Sequence, residues 1–181
     1  MRDLSGLSNV VLTGMMGTGK STVGKRLAQR MEKEFFDSDP EIELTVGMTI
    51  PEIFSRYGEV RFRSEEKLVI KKLAALKGIV LATGGGAVLD PENLAALRRT
   101  GAVITLEADI EVFFERAARK GDRPLLRPEH SRESVQKLLD ARRFAYDQGD
   151  FKVDTTDISP DEVVDIILER LEESGFGQGQ S

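Results

Sequence analysis

The chain has 181 residues, of which 40% are hydrophobic and 31% are charged, and its formal net charge is −5. This length suits a single domain with a substantial core. The acidic balance argues against a nucleic-acid partner, because such partners are normally met by a basic surface. The sequence contains no cysteine, which excludes disulfides, thiolate catalysis and zinc–thiolate sites. The N-terminus has neither a signal peptide nor a membrane-spanning run, so we expect a cytoplasmic protein without a membrane partner.

Short apolar runs alternate with amphipathic segments along the chain. Such alternation, with uninterrupted apolar runs, predicts an α/β fold in which helices cover both faces of a parallel sheet. The predicted strands are, in order, residues 10–13, 35–36, 79–82, 102–106 and 151–154. Three predicted helices begin at Lys20, at Pro40 and at Asp90-Pro91. Four others are predicted to span 59–77, 109–120, 132–148 and 160–174.

No linker or internal repeat divides the chain, so we predict one domain over residues 1–174 and a flexible glycine-rich tail over 175–181. A basic segment interrupted by glycine and proline joins the helices predicted at 109–120 and 132–148. A run of charge usually marks a solvated face. Residues that interrupt regular structure also suit a mobile lid, which we place at about 116–130.

The strongest local signal is the run GMMGTGKS that begins at Gly14, a full match to the phosphate-loop pattern GxxxxGK[ST]. Glycines allow backbone N–H groups to converge on phosphates, and the following helix adds its positive N-terminal end. A chance glycine-rich turn is the alternative, but a strand precedes the run and a helix follows it. The pattern predicts Lys20 at the β- and γ-phosphates and the Ser21 hydroxyl at Mg²⁺. The nucleotide-binding residues predicted in this stretch are Gly14, Gly17, Thr18, Gly19, Lys20, Ser21 and Thr22.

The carboxylate that completes a magnesium site must come from outside the third strand. No acidic residue lies at the tip of the strand predicted at 79–82, and no DxxG or NKxD motif of a switch GTPase follows the phosphate loop. Asp37 and Asp39 follow the second strand and are the best-placed candidates, because open α/β sheets bind ligands at the carboxyl ends of their strands. The same residues could instead cap the next helix.

Two arginines are candidates for binding an acceptor carboxylate. Planar guanidinium groups suit carboxylates better than lysine does, and an aspartate accepts hydrogen bonds from hydroxyls. Arg63, Arg142 and Asp39 together therefore indicate a polyhydroxy acid, with Phe62 as an apolar wall for its ring. As alternatives, Arg63 could only pair with Glu59 one helical turn earlier, and Arg142 could be a solvated helix charge.

Three consecutive glycines, Gly84, Gly85 and Gly86, follow the third strand. They could form a simple tight turn, but three glycines also let a ligand approach the backbone closely. Gly58 is interpreted as a structural break between two helices. His130 is the only histidine and is interpreted as a solvated side chain rather than a base.

These motifs, taken in order, resemble those of the shikimate kinase family over about residues 9–171. The resemblance rests on GMMGTGKST, FDSD (36–39), FSRYGEVRFRSEE (54–66), TGGGAV (83–88), RPLL (123–126), the spacing of Arg142 and Tyr146, and VDTTDISP (153–160). The departures lie in the lid, where AARKGDRPLL surrounds the arginine, and in the tail.

The resemblance implies a nucleoside monophosphate kinase-like fold with a five-stranded parallel sheet and a mobile lid. It also implies ATP-dependent phosphorylation of a hydroxyl of shikimate, giving shikimate 3-phosphate in the pathway to chorismate and aromatic amino acids. Gluconate kinase, a nucleoside monophosphate kinase and a catalytically silent binding module remain alternatives. We expect ATP and shikimate as small-molecule partners, and a monomer.

The family roles fall on individual residues of this sequence. The resemblance implies Mg²⁺ near Ser21 and Asp37, substrate hydroxyls at Asp39, and the shikimate carboxylate at Arg63 and Arg142. It implies that the glycines at 84–86 lie beneath the ring of the substrate, beside Phe62. The lid arginine that reaches the transferred phosphate would be Arg123, the residues flanking adenine would be Arg116 and Pro160, and the catalytic groups would be Lys20, Asp39 and Arg123.

Overall fold

The computed structural model describes residues 2–119 and 131–177. Five parallel strands form one sheet in the order β2-β3-β1-β4-β5, which confirms the predicted sheet. The strands are β1 (Asn9–Thr13), β2 (Glu34–Asp37), β3 (Ile79–Ala82), β4 (Gly101–Glu107) and β5 (Phe151–Asp154). The central strand β1 pairs with β3 on one side and β4 on the other, so Val10 lies opposite both Val80 and Ala102.

Helices cover both faces of the sheet, as predicted. Because side chains alternate along a strand, Val11 points into the cluster packed by the helices at 50–74, 91–100, 110–119 and 132–146. Val10 and Leu12 point into the cluster packed by the helices at 20–30 and 160–173. The helices in the described ranges are α1 (Lys20–Arg30), α2 (Ser38–Val46), α3 (Ile50–Ala74), α4 (Pro91–Thr100), α5 (Ile110–Arg119), α6 (Arg132–Tyr146) and α7 (Pro160–Glu173). None of these helices is both long enough and apolar enough to cross a bilayer.

The helix boundaries differ from the predictions where side chains cap them. The prediction that Pro40 opens a helix is wrong by two residues, because α2 begins at Ser38 with the Asp37 carboxylate as its N-cap. The helix predicted at 59–77 is the second half of α3 and ends at Ala74. Gly58 interrupts α3 with φ 77° and ψ −179°, which matches the predicted break between two helices. The helix predicted at 132–148 ends at Tyr146.

The chain after α7 turns back onto that helix. Gly175 adopts φ 74°, and its N–H donates to the carbonyl of Glu172 at 3.0 Å, while the N–H of Phe176 donates to that of Leu171 at 3.0 Å. This pair of bonds is the Schellman motif that ends many helices. Phe176 packs against the α1–α7 cluster. The first residues of the predicted tail therefore form a helix cap, and 178–181 lie outside the described residues.

Candidate active site

The loop between β1 and α1 folds over the end of the central strand. Gly14, Gly17 and Gly19 have φ values of 131°, 81° and 92°, a region that residues with a side chain rarely adopt. A Cβ on Gly14 would lie 2.1 Å from the carbonyl oxygen of Leu106 in β4. The glycines are therefore needed both for the backbone conformation and for close packing against the neighbouring strand.

Lys20 lies at the first position of α1, and its ammonium group turns back onto the loop. The Nζ atom donates to the carbonyl oxygens of Gly14 and Met15, each at 2.8 Å. Removal of the ammonium group from water lowers the pKa of Lys20 to about 8, although Asp39 and Asp37 oppose this shift. A phosphate placed in the loop would supply further negative charge to a cation whose hydrogen bonds go to two neutral carbonyls.

Ser21 and Asp37 form a pair of hard oxygen groups beside the phosphate loop. The Ser21 hydroxyl donates to Oδ2 of Asp37 at 2.6 Å, and Oδ1 of Asp37 accepts the backbone N–H of Asp39 at 3.2 Å. Asp37 therefore caps α2, the alternative posed from the sequence, and the magnesium role remains a prediction for the same carboxylate. Within 2–119 and 131–177 no cluster of three or more acidic or histidine side chains could hold a metal.

A cavity of about 940 Å³ begins at Asp37 and Asp39 and extends past the phosphate loop to the turn between β5 and α7. This volume lies within the range of ligand-sized clefts. Arg116 lines its far end and donates to the carbonyls of Gly17 at 3.1 Å and Thr155 at 2.7 Å. Pro160 lines the same end. The two residues predicted to flank adenine therefore lie together, and Arg116 ties α5 to the phosphate loop.

The opposite end of the site is formed by Asp39 and the glycine run after β3. A Cβ on Gly84 would lie 2.6 Å from Oδ1 of Asp39, and the N–H of Gly84 donates to Oγ of Ser38 at 2.8 Å. Burial raises the pKa of Asp39, and the nearby Asp37 carboxylate raises it further. Any side chain at position 84 would therefore displace Asp39, the aspartate predicted to accept hydrogen bonds from substrate hydroxyls.

Arg63 borders the same glycine run and is held by two carboxylates. Its Nη1 donates to Oε2 of the buried Glu66 at 2.8 Å, and its Nη2 donates to Oε1 of the exposed Glu59 at 3.0 Å. Burial raises the pKa of Glu66, and the bond from Arg63 opposes that rise. A Cβ on Gly86 would lie 2.7 Å from Nη1 of Arg63. The pairing with Glu59, posed as the alternative to carboxylate binding, therefore occurs, and the role of Arg63 as a carboxylate ligand remains a prediction.

Arg142 reaches the glycine run from α6. A Cβ on Gly85 would lie 3.4 Å from Nη1 of Arg142, so the guanidinium borders the loop closely. Arg63 and Arg142 come from helices that are far apart in sequence, yet they border neighbouring glycines. The glycine run thus brings together two guanidinium groups, of which that of Arg63 is also paired with Glu59 and Glu66, and the carboxylate of Asp39. Such a set suits a ligand that carries both a carboxylate and hydroxyls.

Phe62 is packed inside the protein next to Arg63. Its side chain is buried, its ring lies 4.6 Å from that of Phe54, and the guanidinium of Arg63 lies 5.1 Å above it. Phe54 is 39% exposed and covers Phe62. Phe54, to which the sequence assigned no role, therefore presents the exposed aromatic surface over Phe62.

A family model of shikimate kinase matches residues 16–172 of this chain. The chain belongs to the shikimate kinase family. A shikimate kinase from Pelotomaculum thermopropionicum is 46% identical over 94% of this chain and 99% of its own length. One from Desulforudis audaxviator is 50% identical over 94% of this chain and 89% of its own length.

Solved structures agree with the sequence relatives. The shikimate kinase from Acinetobacter baumannii in complex with shikimate superposes with a TM-score of 0.86 at 37% identity, over 94% of this chain and 96% of that one. The shikimate kinase from Aquifex aeolicus superposes with a TM-score of 0.79 at 35% identity. These matches confirm the nucleoside monophosphate kinase-like fold predicted for this member of the shikimate kinase family.

The structure brings most of the predicted site residues to the carboxyl-terminal edge of the sheet. Arg123 and the greater part of the predicted lid lie outside the described residues of this shikimate kinase family member. The residues that meet at the edge are Gly14, Gly17, Thr18, Gly19, Lys20, Ser21, Thr22, Asp37, Asp39, Arg63, Gly84, Gly85, Gly86, Arg116, Arg142 and Pro160.

Sequence reasoning missed three residues that hold the others in place. Glu66 follows Arg63 by three positions and Tyr146 follows Arg142 by four, spacings that put both pairs on one helix face. Thr155 lies just after β5 and donates to the carbonyl of Thr18 at 3.2 Å. The helical spacing was a usable signal for Glu66 and Tyr146, whereas Thr155 is found only once strands β5 and β1 are placed in one sheet.

Proposed function

We propose that this chain transfers the γ-phosphoryl group of ATP to a hydroxyl of shikimate and so forms shikimate 3-phosphate. The observation that carries the proposal is that a phosphate loop and a cluster of two arginines and an aspartate meet at one edge of the sheet. The phosphate loop suits a nucleoside triphosphate, and the cluster of arginines and aspartate suits a hydroxylated carboxylic acid. Membership of the shikimate kinase family supports the same acceptor.

The nucleotide roles follow from the position of each group. Lys20 moves from its loop carbonyls to the β- and γ-phosphates and stabilises charge at the transferring group. Ser21 and Asp37 hold Mg²⁺, which neutralises negative charge on the phosphate oxygens when it is bound. Arg116 and Pro160 flank the adenine at the far end of the cavity. Support for the metal site comes from the two adjacent oxygen groups, at 2.6 Å from each other.

The acceptor roles fall to the residues around the glycine run. Asp39 accepts a hydrogen bond from the attacking hydroxyl and orients it towards the phosphate. Arg63 and Arg142 bind the carboxylate of the acceptor, with Glu66 fixing the orientation of Arg63. Gly84 to Gly86 allow the ring to approach the backbone. Positioning and charge neutralisation are sufficient for phosphoryl transfer, which needs little from a strong base.

We extend the proposal to the lid. Arg123, within a lid at about 116–130, closes over the bound substrates and reaches the transferred phosphate. Support comes from the RPLL match at 123–126 and from the basic, proline-interrupted composition of the segment. We also propose that the protein acts as a monomer in the cytoplasm.

The test is an assay of ADP formation with shikimate, gluconate and AMP as separate acceptors, each with and without EDTA. We expect turnover with shikimate in the presence of Mg²⁺ and loss of turnover in EDTA. Faster turnover of gluconate or of AMP would instead indicate a gluconate kinase or a nucleoside monophosphate kinase. No turnover with any acceptor would favour a binding module.

A further inference from the structure

The hydroxyl of Tyr146 bridges the two parts of the acceptor site. It donates to the carbonyl oxygen of Gly85 at 2.7 Å, and the Arg142 side chain lies close enough to oppose the rise of its pKa. A guanidinium can only donate, so it faces the lone pairs of the phenol oxygen while the phenol proton goes to Gly85. Burial raises the pKa of Tyr146, which keeps that proton in place.

Tyr146 is also held at its backbone. Its carbonyl accepts the hydroxyl of Thr105 at 2.8 Å, and Thr105 lies in register with Thr13, the last residue of the strand that leads into the phosphate loop. The ring itself is buried, with 4% of its surface exposed. The end of α6 is thereby tied to β4, and the Tyr146 phenol is held in a fixed position against the glycine run.

Arg142 lies beside the Tyr146 phenol on α6. Arg142 precedes Tyr146 by one helical turn, so both side chains lie on the face of α6 that meets the glycine run. A Cβ on Gly85 would lie 3.4 Å both from Nη1 of Arg142 and from the carbonyl oxygen of Gly14. Gly85 is thus confined between the phosphate loop and Arg142, and the Tyr146 hydroxyl contacts Arg142 and Gly85 at once.

We propose that Tyr146 is a positioning residue for the acceptor, whose hydroxyl fixes the Arg142 guanidinium relative to the Gly85 carbonyl. The acceptor carboxylate then meets an arginine that is already oriented, and less side-chain entropy is lost on binding. Tyr146 acts through Arg142 and the loop and does not touch the nucleotide. This role presupposes the proposed contact between Arg142 and the carboxylate of shikimate.

The first test is Tyr146→Phe, which removes one oxygen atom and keeps the ring. Loss of a hydrogen bond to a charged group should raise the KM for shikimate about tenfold, with the KM for ATP within about twofold of wild type. The matched control is Tyr57→Phe at the other tyrosine, which is 55% exposed and should leave both constants unchanged. An unchanged shikimate KM, or an equal rise in both constants, would overturn the proposal.

A double-mutant cycle with Arg142→Lys separates this inference from the proposed function. If Tyr146 acts through Arg142, the double variant should be no worse than Arg142→Lys alone by more than about twofold in shikimate KM. Effects that multiply would refute the positioning role while leaving the acceptor assignment intact. A normal shikimate KM in Arg142→Lys alone, or a wild-type protein inactive on shikimate, would instead contradict the proposed function.

A spectroscopic measurement covers the case in which Tyr146→Phe does not fold. The sequence has two tyrosines and no tryptophan, so Tyr57→Phe leaves Tyr146 as the only tyrosine. Adding shikimate, which lacks an aromatic ring, should change the near-ultraviolet absorption of Tyr146 as its bond to Arg142 responds. That change should disappear in Tyr57→Phe/Arg142→Lys. A spectrum that shikimate leaves unaltered would argue that the phenol is not coupled to the acceptor.

Discussion

The carboxylate of Glu59 accepts two hydrogen bonds from Arg63, at 3.2 Å from Nε and 3.0 Å from Nη2. The remaining Nη1 donates to Glu66. The Glu66 side chain is 2% exposed, whereas the Glu59 side chain is 66% exposed. A bidentate acceptor carboxylate needs two adjacent N–H groups. Of the two partners, the exposed Glu59 is the one that can leave.

We therefore expect Glu59→Gln to strengthen acceptor binding. An exposed pair one helical turn apart contributes about 0.3–0.5 kcal/mol, so its removal should lower the KM for shikimate by about twofold. The KM for ATP should not change. Steady-state kinetics at low ionic strength is the appropriate measurement, because salt weakens this competition.

Glu133→Gln provides the matched control for Glu59→Gln. Glu133 pairs with Lys137 four residues later on α6 at 2.7 Å, and both side chains are largely exposed. This substitution should leave the shikimate KM unchanged. A higher KM in Glu59→Gln would mean that Glu59 contributes to the acceptor site instead of competing for Arg63.

Asp37 has two roles that different substitutions should separate. Asn caps helices as well as Asp does, whereas Ala removes the cap at a cost of about 1 kcal/mol. Both Asp37→Asn and Asp37→Ala should raise the Mg²⁺ concentration needed for half-maximal activity, because each removes a charged ligand. Only Asp37→Ala should lower the free energy of unfolding, by about 1 kcal/mol in urea titration. An unaltered Mg²⁺ requirement in both variants would leave Asp37 as a cap alone.

The lowered pKa of Lys20 predicts proton uptake on nucleotide binding. With a pKa of about 8 in the free enzyme, about half of the Lys20 side chains are neutral at pH 8. Phosphates favour the charged form, so binding ADP should raise this pKa and take up protons. Uptake should be absent near pH 6.5 and grow as the pH rises through 8, and ADP affinity should fall over the same range.

Calorimetry of ADP binding, in EDTA and in two buffers of different ionisation enthalpy, measures this uptake directly. Lys20→Met is the control, because it has no group that titrates at this position. The wild type and Lys20→Met should differ in proton uptake at pH 8 and agree at pH 6.5. The same uptake in both proteins would assign the proton to another group.

The proposed lid arginine should affect the chemical step more than nucleotide binding. Before closure Arg123 would lie in water, and after closure its charge acts in a site with less water. Arg123→Ala should therefore lower kcat by roughly two orders of magnitude and leave the dissociation constant of ATP within about threefold. Single-turnover kinetics and equilibrium binding test the two halves of this expectation. Weaker ATP binding with normal kcat would make Arg123 a ground-state contact with the nucleotide.

The sequence predicted the parts of this fold that depend on local pattern. Apolar runs located every strand, and the glycine spacing located the phosphate loop, because both signals lie within a few consecutive residues. Local pattern did not determine the helix ends, because the start of α2 depends on which of several polar residues caps it. Asp37 is the N-cap, so α2 begins at Ser38, two residues before Pro40.

Contacts between distant segments could not be predicted from pattern. Tyr146 and Gly85 are 61 residues apart in sequence, and they meet only because α6 returns across the end of the sheet. The burial of Glu66 likewise depends on how α3 packs against the strands. The sequence did show Arg63 and Arg142 as candidate carboxylate ligands, but the groups that orient them emerge only from the packed structure.

The strand order also bears on the design of ligands that join both substrates. Adjacent strands lie about 4.8 Å apart, so the acceptor residues after β3, the loop after β1 and the ends of β4 and β5 follow one another across about 14 Å. A bivalent ligand that links adenosine to a shikimate-like acid through a phosphate chain would run along this edge, across the strands. Its gain in effective concentration should be greatest when the linker length matches this span, and shorter linkers should leave one half unbound.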